Sequence, residues 1–156
     1  MRGRLSRAYA VGLVIVALSA CTSIPRDPDG TLERVIERGE LRVGASPSGD
    51  LVVLSGDDPS GREVDLVEGF AEELGVDVVW TVSGETELVG AMELGDLDVL
   101  VGGLHADSPW SDKVAITRAY AESTEAGETV KHVLAVPIGE NAMLVRLERY
   151  LDEATG

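Results

Sequence analysis

Leu94-Gly95-Asp96-Leu97-Asp98-Val99-Leu100-Val101-Gly102-Gly103-Leu104-His105-Ala106-Asp107-Ser108-Pro109-Trp110 is the stretch whose reading decides the fold. It opens on a helix end closed by Gly95. Residues 98–101 then form a short, nearly continuous apolar run, as in a strand covered on both faces. Gly102 and Gly103 let the backbone turn, or let another group approach it closely. Residues 105–110 are expected to form a loop beyond the carboxyl end of that strand, where open α/β sheets bind ligands.

Upstream of this stretch, helix and strand patterns alternate. Residues 85–94 are a helix with Leu88, Ala91 and Met92 inward, and residues 76–82 are a strand. Residues 64–74 are an amphipathic helix whose Val64, Val67, Phe70, Ala71 and Leu74 recur at helical spacing, with Gly75 as the stop. Residues 41–45 are the first strand, preceded by a helix with Thr31 as its expected N-cap and Gly39 as its end. Residues 46–62 form a loop carrying one short edge segment at 51–54. The order strand, helix, strand, helix, strand predicts parallel strands with right-handed crossovers. Downstream, residues 114–117 and 132–137 are strand candidates, and residues 121–129 form a polar linker. Asn141 is expected to cap a last helix with Met143, Leu144, Leu147, Tyr150 and Leu151 on one face.

Composition limits the partners. The 156-residue chain has 28 acidic and 13 basic residues and a net charge of −15. That argues against nucleic acid, which needs a basic face. Aromatic content is only 4%, so the core must be Val, Leu and Ala. The single cysteine excludes an internal disulfide and any cysteine-based zinc cluster.

The amino terminus reads as an address. Arg2, Arg4 and Arg7 precede an uncharged, mostly apolar segment, 8–20, too short to span a bilayer. Leu18-Ser19-Ala20-Cys21 resembles the bacterial lipobox, which implies that Cys21 is lipidated and becomes the new amino terminus. Three regions follow: a lipoprotein signal at 1–20, a polar, Pro-containing tether at 21–30, and one folded unit at 31–156. The protein is then expected outside the cytoplasm, held to the membrane through Cys21.

The words and their order resemble the first lobe of bacterial extracellular solute-binding proteins of the polar amino-acid type. The resemblance rests on Thr31-Leu32-Glu33-Arg34-Val35 through Glu40-Leu41-Arg42-Val43-Gly44, on the run from Val64 to Gly75, on the run from Leu94 to Leu104, and on Arg118-Ala119-Tyr120. It implies an α/β fold: a single lobe with a mostly parallel sheet flanked by helices, half of a type II periplasmic-binding fold. Members of that family close two lobes on the ligand. Here only about ten residues, 121–130, stand where a second lobe belongs.

The resemblance also locates a ligand site, lined by Ser46, Gly103, His105, Asp107 and Trp110. Two family features are absent. The turn after the first strand, 46–50, has no aromatic residue. Asp107-Ser108-Pro109-Trp110 stands where the family has Thr-x-x-Arg, whose guanidinium grips a carboxylate. A simple amino acid is therefore not the expected ligand. His105 reads either as a ligand contact or as a surface loop residue. Trp110 reads either as a platform in the crevice or as a shield over strand ends. His132 is read as structural. His105, Asp107 and Ser108 are too close in sequence to form a hydrolytic triad. With no phosphate loop, metal-spaced cluster or dinucleotide fingerprint, neither cofactor nor metal is expected.

Two functions are carried forward. One is a solute-binding lipoprotein without catalysis, serving a membrane transporter or a sensor, whose half-open crevice a homodimer would close. The other is an accessory lipoprotein that keeps the half-fold as a protein-binding module. Fold alone separates neither.

Overall fold

A computed structural model describes residues 27–56 and 58–156. The signal segment and Cys21 lie outside the described residues. Helix α1 (Thr31–Arg38) leads into β1 (Glu40–Ala45), and a small hairpin of β2 (Val53–Ser55) and β3 (Asp58–Ser60) follows. Then come α2 (Arg62–Leu74), β4 (Asp77–Val82), α3 (Glu85–Glu93) and β5 (Val99–His105). The chain ends with β6 (Val114–Ile116), β7 (Ala121–Glu125), β8 (Glu128–Pro137) and α4 (Asn141–Thr155).

The main sheet has the order β4-β1-β5-β8-β6, with β7 also paired to β8. It is mixed: β4, β1 and β5 run parallel, while β8 is antiparallel to β5, β6 and β7. Strand alternation divides the apolar residues between two faces. Val99, Val101, Leu134 and Val136 pack with α1, α2 and α4. Leu100, Leu104, Val133 and Ala135 pack with α3. Both faces of β5 are covered, which is why its sequence is apolar without alternation. The buried helix positions are those of the apolar stripes, including Val64, Val67, Phe70 and Ala71 in α2 and Met143, Leu147 and Leu151 in α4.

Three expectations change. The strand expected at residues 98–101 begins at Val99 and continues to His105. Asp98 is instead a buried carboxylate held by Arg42 Nη2 at 2.8 Å, the Arg42 amide at 2.9 Å and Arg38 Nη2 at 2.6 Å. That hydrogen bonding holds the Arg42 guanidinium above its ordinary pKa. The linker at residues 121–129 is a β-hairpin. Its turn is Ala126 and Gly127 with φ of 49° and 88°, the pair of positive angles that matches strand twist in a two-residue connection.

The third change concerns the caps. Thr31 is the first residue of α1 rather than its cap, and Gly30 holds the cap position without a side-chain bond. The acceptor comes from the far end of the chain. Glu140 takes the Asp29 amide at 2.9 Å and the Thr31 amide at 2.6 Å. In return Asp27 accepts the Ala142 amide in the first turn of α4. Asn141 does not cap α4; its side-chain amide donates to the Gly139 carbonyl. Residues 27–30, read as the end of the tether, are therefore fastened to the domain.

Burial raises the Glu140 carboxyl, but the Thr31 and Asp29 amides, the Thr31 hydroxyl and Arg34 together hold it below its ordinary 4.5. A lowered folded-state pKa adds stability above the unfolded value and loses it as pH falls through the folded one. Glu140→Gln is expected to cost about 1–2 kcal/mol at neutral pH, the worth of an N-cap. The gap from wild type should close on acidification below 4.5. Urea denaturation at neutral and acid pH measures both.

Candidate functional site

Ser46, just after β1, lies against Gly102 within β5, where the strand order reverses. The glycine pair is a β-bulge: Leu100 faces Ala135 and Leu104 faces Val133, so β5 spends four steps where β8 spends two. Gly103 has a φ of 66°. A Cβ on Gly102 would lie 2.9 Å from the Ser46 Cβ, and one on Gly103 equally close to the Ser48 Cβ. Only glycine lets the turn after β1 seat against the bulge.

The bulge turns two amides out of the ladder, and one carboxylate takes both. Glu63 Oε2 accepts from Gly102 N at 2.8 Å and Gly103 N at 2.9 Å. Glu63 Oε1 accepts from the Tyr120 hydroxyl at 2.6 Å. Glu63 is fully buried in the first turn of α2. Burial, followed by the charge and hydrogen bond of Glu63, pushes the Tyr120 phenol well above its usual pKa. Tyr120 therefore remains a donor. The guanidinium of Arg62 stands 5.9 Å over the Tyr120 ring. The amides of the floor are satisfied from within.

The five expected site residues separate. Ser46 is nearly buried against Gly102, with its amide on the Val101 carbonyl at 3.0 Å. Asp107 is exposed at the loop tip. Trp110 packs on the α3 side with Ala91 and Ile116, and its indole N–H donates to Glu85 at the start of α3. That arrangement shields strand ends. Ser108 is buried and orders the loop by accepting the Trp110 amide. His105 is not a loop residue but the last residue of β5. It stands directly opposite His132 of β8, with ring centres 5.5 Å apart at 83°. His132 has the same parity as Leu134 and Val136, so it lies on the opposite face of the sheet from Trp110.

The sequence reading missed Glu63. An acidic residue in the first turn of a helix signals only a favourable place in the helix dipole. Its real partners are 39 to 57 residues away. His132, read as structural, is buried beside Tyr120 at 6.3 Å between ring centres.

No protein-family model matches the chain. It is similar to named membrane-bound lytic murein transglycosylases F. It shares 34% identity over 106 residues with that of Vibrio parahaemolyticus, covering 67% of this chain and 20% of the relative. With that of Maricaulis maris it shares 37% over 127 residues, covering 77% and 27%. The chain thus spans about a fifth to a quarter of these relatives. Among solved structures, the arginine-bound form of domain 1 from TmArgBP superposes with a TM-score of 0.69 at 22% identity, covering 77% of this chain and 97% of that one. An ancestral cationic amino acid solute-binding protein gives 0.71 at 14%, covering 79% and 93%. The chain has the fold of the first lobe of an amino-acid-binding protein.

The relatives correct one expectation. The sequence reading placed the chain outside enzymes, whereas the curated proteins that it matches are enzymes by name. Sequence motifs could not signal this, because the match covers only a minor part of each relative.

Removing Glu63 leaves two amides and a phenol without a partner, each costing about 1–3 kcal/mol when buried. Glu63→Ala is expected to destabilise by about 3–5 kcal/mol and Glu63→Gln by about 1–2, since Gln retains an acceptor. Chemical denaturation orders the two. Equal losses would mean that packing, not hydrogen bonding, holds the bulge.

Proposed function

We propose that this chain is a recognition lobe that serves murein-lytic chemistry at the outer face of a membrane. The observation carrying this reading is the match of the lobe to membrane-bound lytic murein transglycosylases over two thirds or more of this chain. Lipid attachment at Cys21 would supply the membrane contact. Among the described residues no helix is long and apolar enough to cross a membrane. A role beside a transporter has no comparable support.

The ligand class follows from charge. The loops at the carboxyl ends of the strands carry Asp50, Asp107 and Asp112. Asp107 stands where the resembled family has the start of its carboxylate clamp. The ligand is therefore an amine-bearing solute, with a murein peptide fragment as the reference case. Domain 1 from TmArgBP, of the same fold, has an arginine-bound form, which supports ligand binding by one lobe. Ser46, Gly103 and Asp107 would line the mouth, over a floor closed by Glu63, with Trp110 standing outside it on the α3 side.

A second reading is favoured by that floor. Because the bulge amides are already bonded within the chain, the same face would serve as a docking surface for protein. Thermal-shift titration of the full chain with soluble murein fragments, arginine and spermidine separates the two. Recognition predicts a Tm that rises with ligand concentration. Asp107→Asn should reduce that rise at least about tenfold in apparent affinity, the worth of a charged hydrogen bond. A flat response to all three ligands would overturn solute recognition and leave the docking surface.

A further inference from the structure

We infer that His105 and His132 form a two-histidine seat for a borderline transition cation such as Zn2+, Ni2+ or Cu2+. The pair is directly cross-strand on adjacent antiparallel strands, where Cβ atoms come closest. A cation about 2.0–2.1 Å from one nitrogen of each imidazole, at a tetrahedral angle, sets the ring centres about 5 Å apart. The observed separation is 5.5 Å with the rings edge to face. The strand pairing thus already holds the two rings at about the separation that a shared cation needs.

The second observation is an orphan. His132 is 5% exposed, and its Nδ1 is buried with no hydrogen-bond partner among the described residues. A polar nitrogen left in that state costs free energy. Its other nitrogen, Nε2, lies 2.8 Å from Ser123 Oγ on β7. With Nε2–H donated to the hydroxyl, Nδ1 carries the free lone pair. Metal-bound histidines hold their second nitrogen in this way, by an outer hydrogen bond that fixes tautomer and ring orientation. The hairpin that replaces a linker thus supplies the outer-shell group.

Imidazole suits Zn2+, Cu2+ and Ni2+ rather than Mg2+ or Ca2+, which prefer oxygen. Among the described residues no group of three or more His, Cys, Asp or Glu gathers around a common point. The remaining positions are therefore filled by water or by a donor from a bound molecule. His105 is only partly buried at the strand end, which gives the cation an entry. The seat shares a face of the sheet with Tyr120, opposite Trp110, and it is tested with Zn2+ alone, without murein fragments.

The chain has only these two histidines, so the test is unambiguous. The full chain carrying Cys21→Ser, which removes the single thiol, is titrated with Zn2+ by calorimetry and by NMR of the imidazole protons. The expected result is one equivalent of Zn2+, with both ring signals shifting together. His105→Ala should abolish or greatly weaken binding while circular dichroism shows the fold retained. Ser123→Ala should weaken it about tenfold through loss of the outer hydrogen bond. If His132→Asn fails to fold, His105→Ala carries the test alone. Zn2+ uptake unchanged by His105→Ala, or no uptake at millimolar Zn2+, overturns the seat.

Discussion

One carboxylate organises the functional end of this lobe. Glu63 reaches from the start of α2 to two amides of the β5 bulge and to the Tyr120 hydroxyl. Those amides have no partner in the ladder, because the bulge turns them away from β8. A bulge left unpaired inside a dry core would not persist, since each buried donor needs an acceptor. The bulge in turn sets where β5 resumes its pairing, and hence that His105 faces His132. The same contact closes the floor beside the strand ends.

A second constraint makes the lobe self-contained. Where a two-lobed protein would leave the sheet, β7 turns through Ala126 and Gly127 into β8 and returns. The return strand places α4 across the first core, and Glu140 beside α1. Asp27 and Glu140 then exchange caps between the two ends of the described chain. Each acid meets the positive end of the other element's helix.

Much of the fold was legible because its signals are local. Helical spacing in Val64, Val67, Phe70 and Ala71, the glycine stops at Gly39 and Gly75, and the apolar run at Val99–Val101 are signals of this kind, and four helices and five strands lie where such patterns predict them. The missed elements lacked such periodicity. Residues 121–129 are polar on both faces, so nothing in them distinguishes a projecting hairpin from a linker. Of the expected site, Ser46 comes to Gly102, the neighbour of Gly103, because the turn after β1 seats on the β5 bulge. Trp110 does not join His105, since the turn ordered by Ser108 carries it to Glu85 on the α3 side.

Residue order alone determined the alternation of elements and the two-faced burial of β5, because periodicity and glycine act over a few residues. Only the tertiary structure decided what Glu63, Asp98, Glu140 and His132 do. Each is a polar group removed from water, and a buried polar group is defined by its partner. Those partners lie 39 to 111 residues away for Glu63, Asp98 and Glu140. For His132 they depend on a bulge and a hairpin turn elsewhere in the sheet.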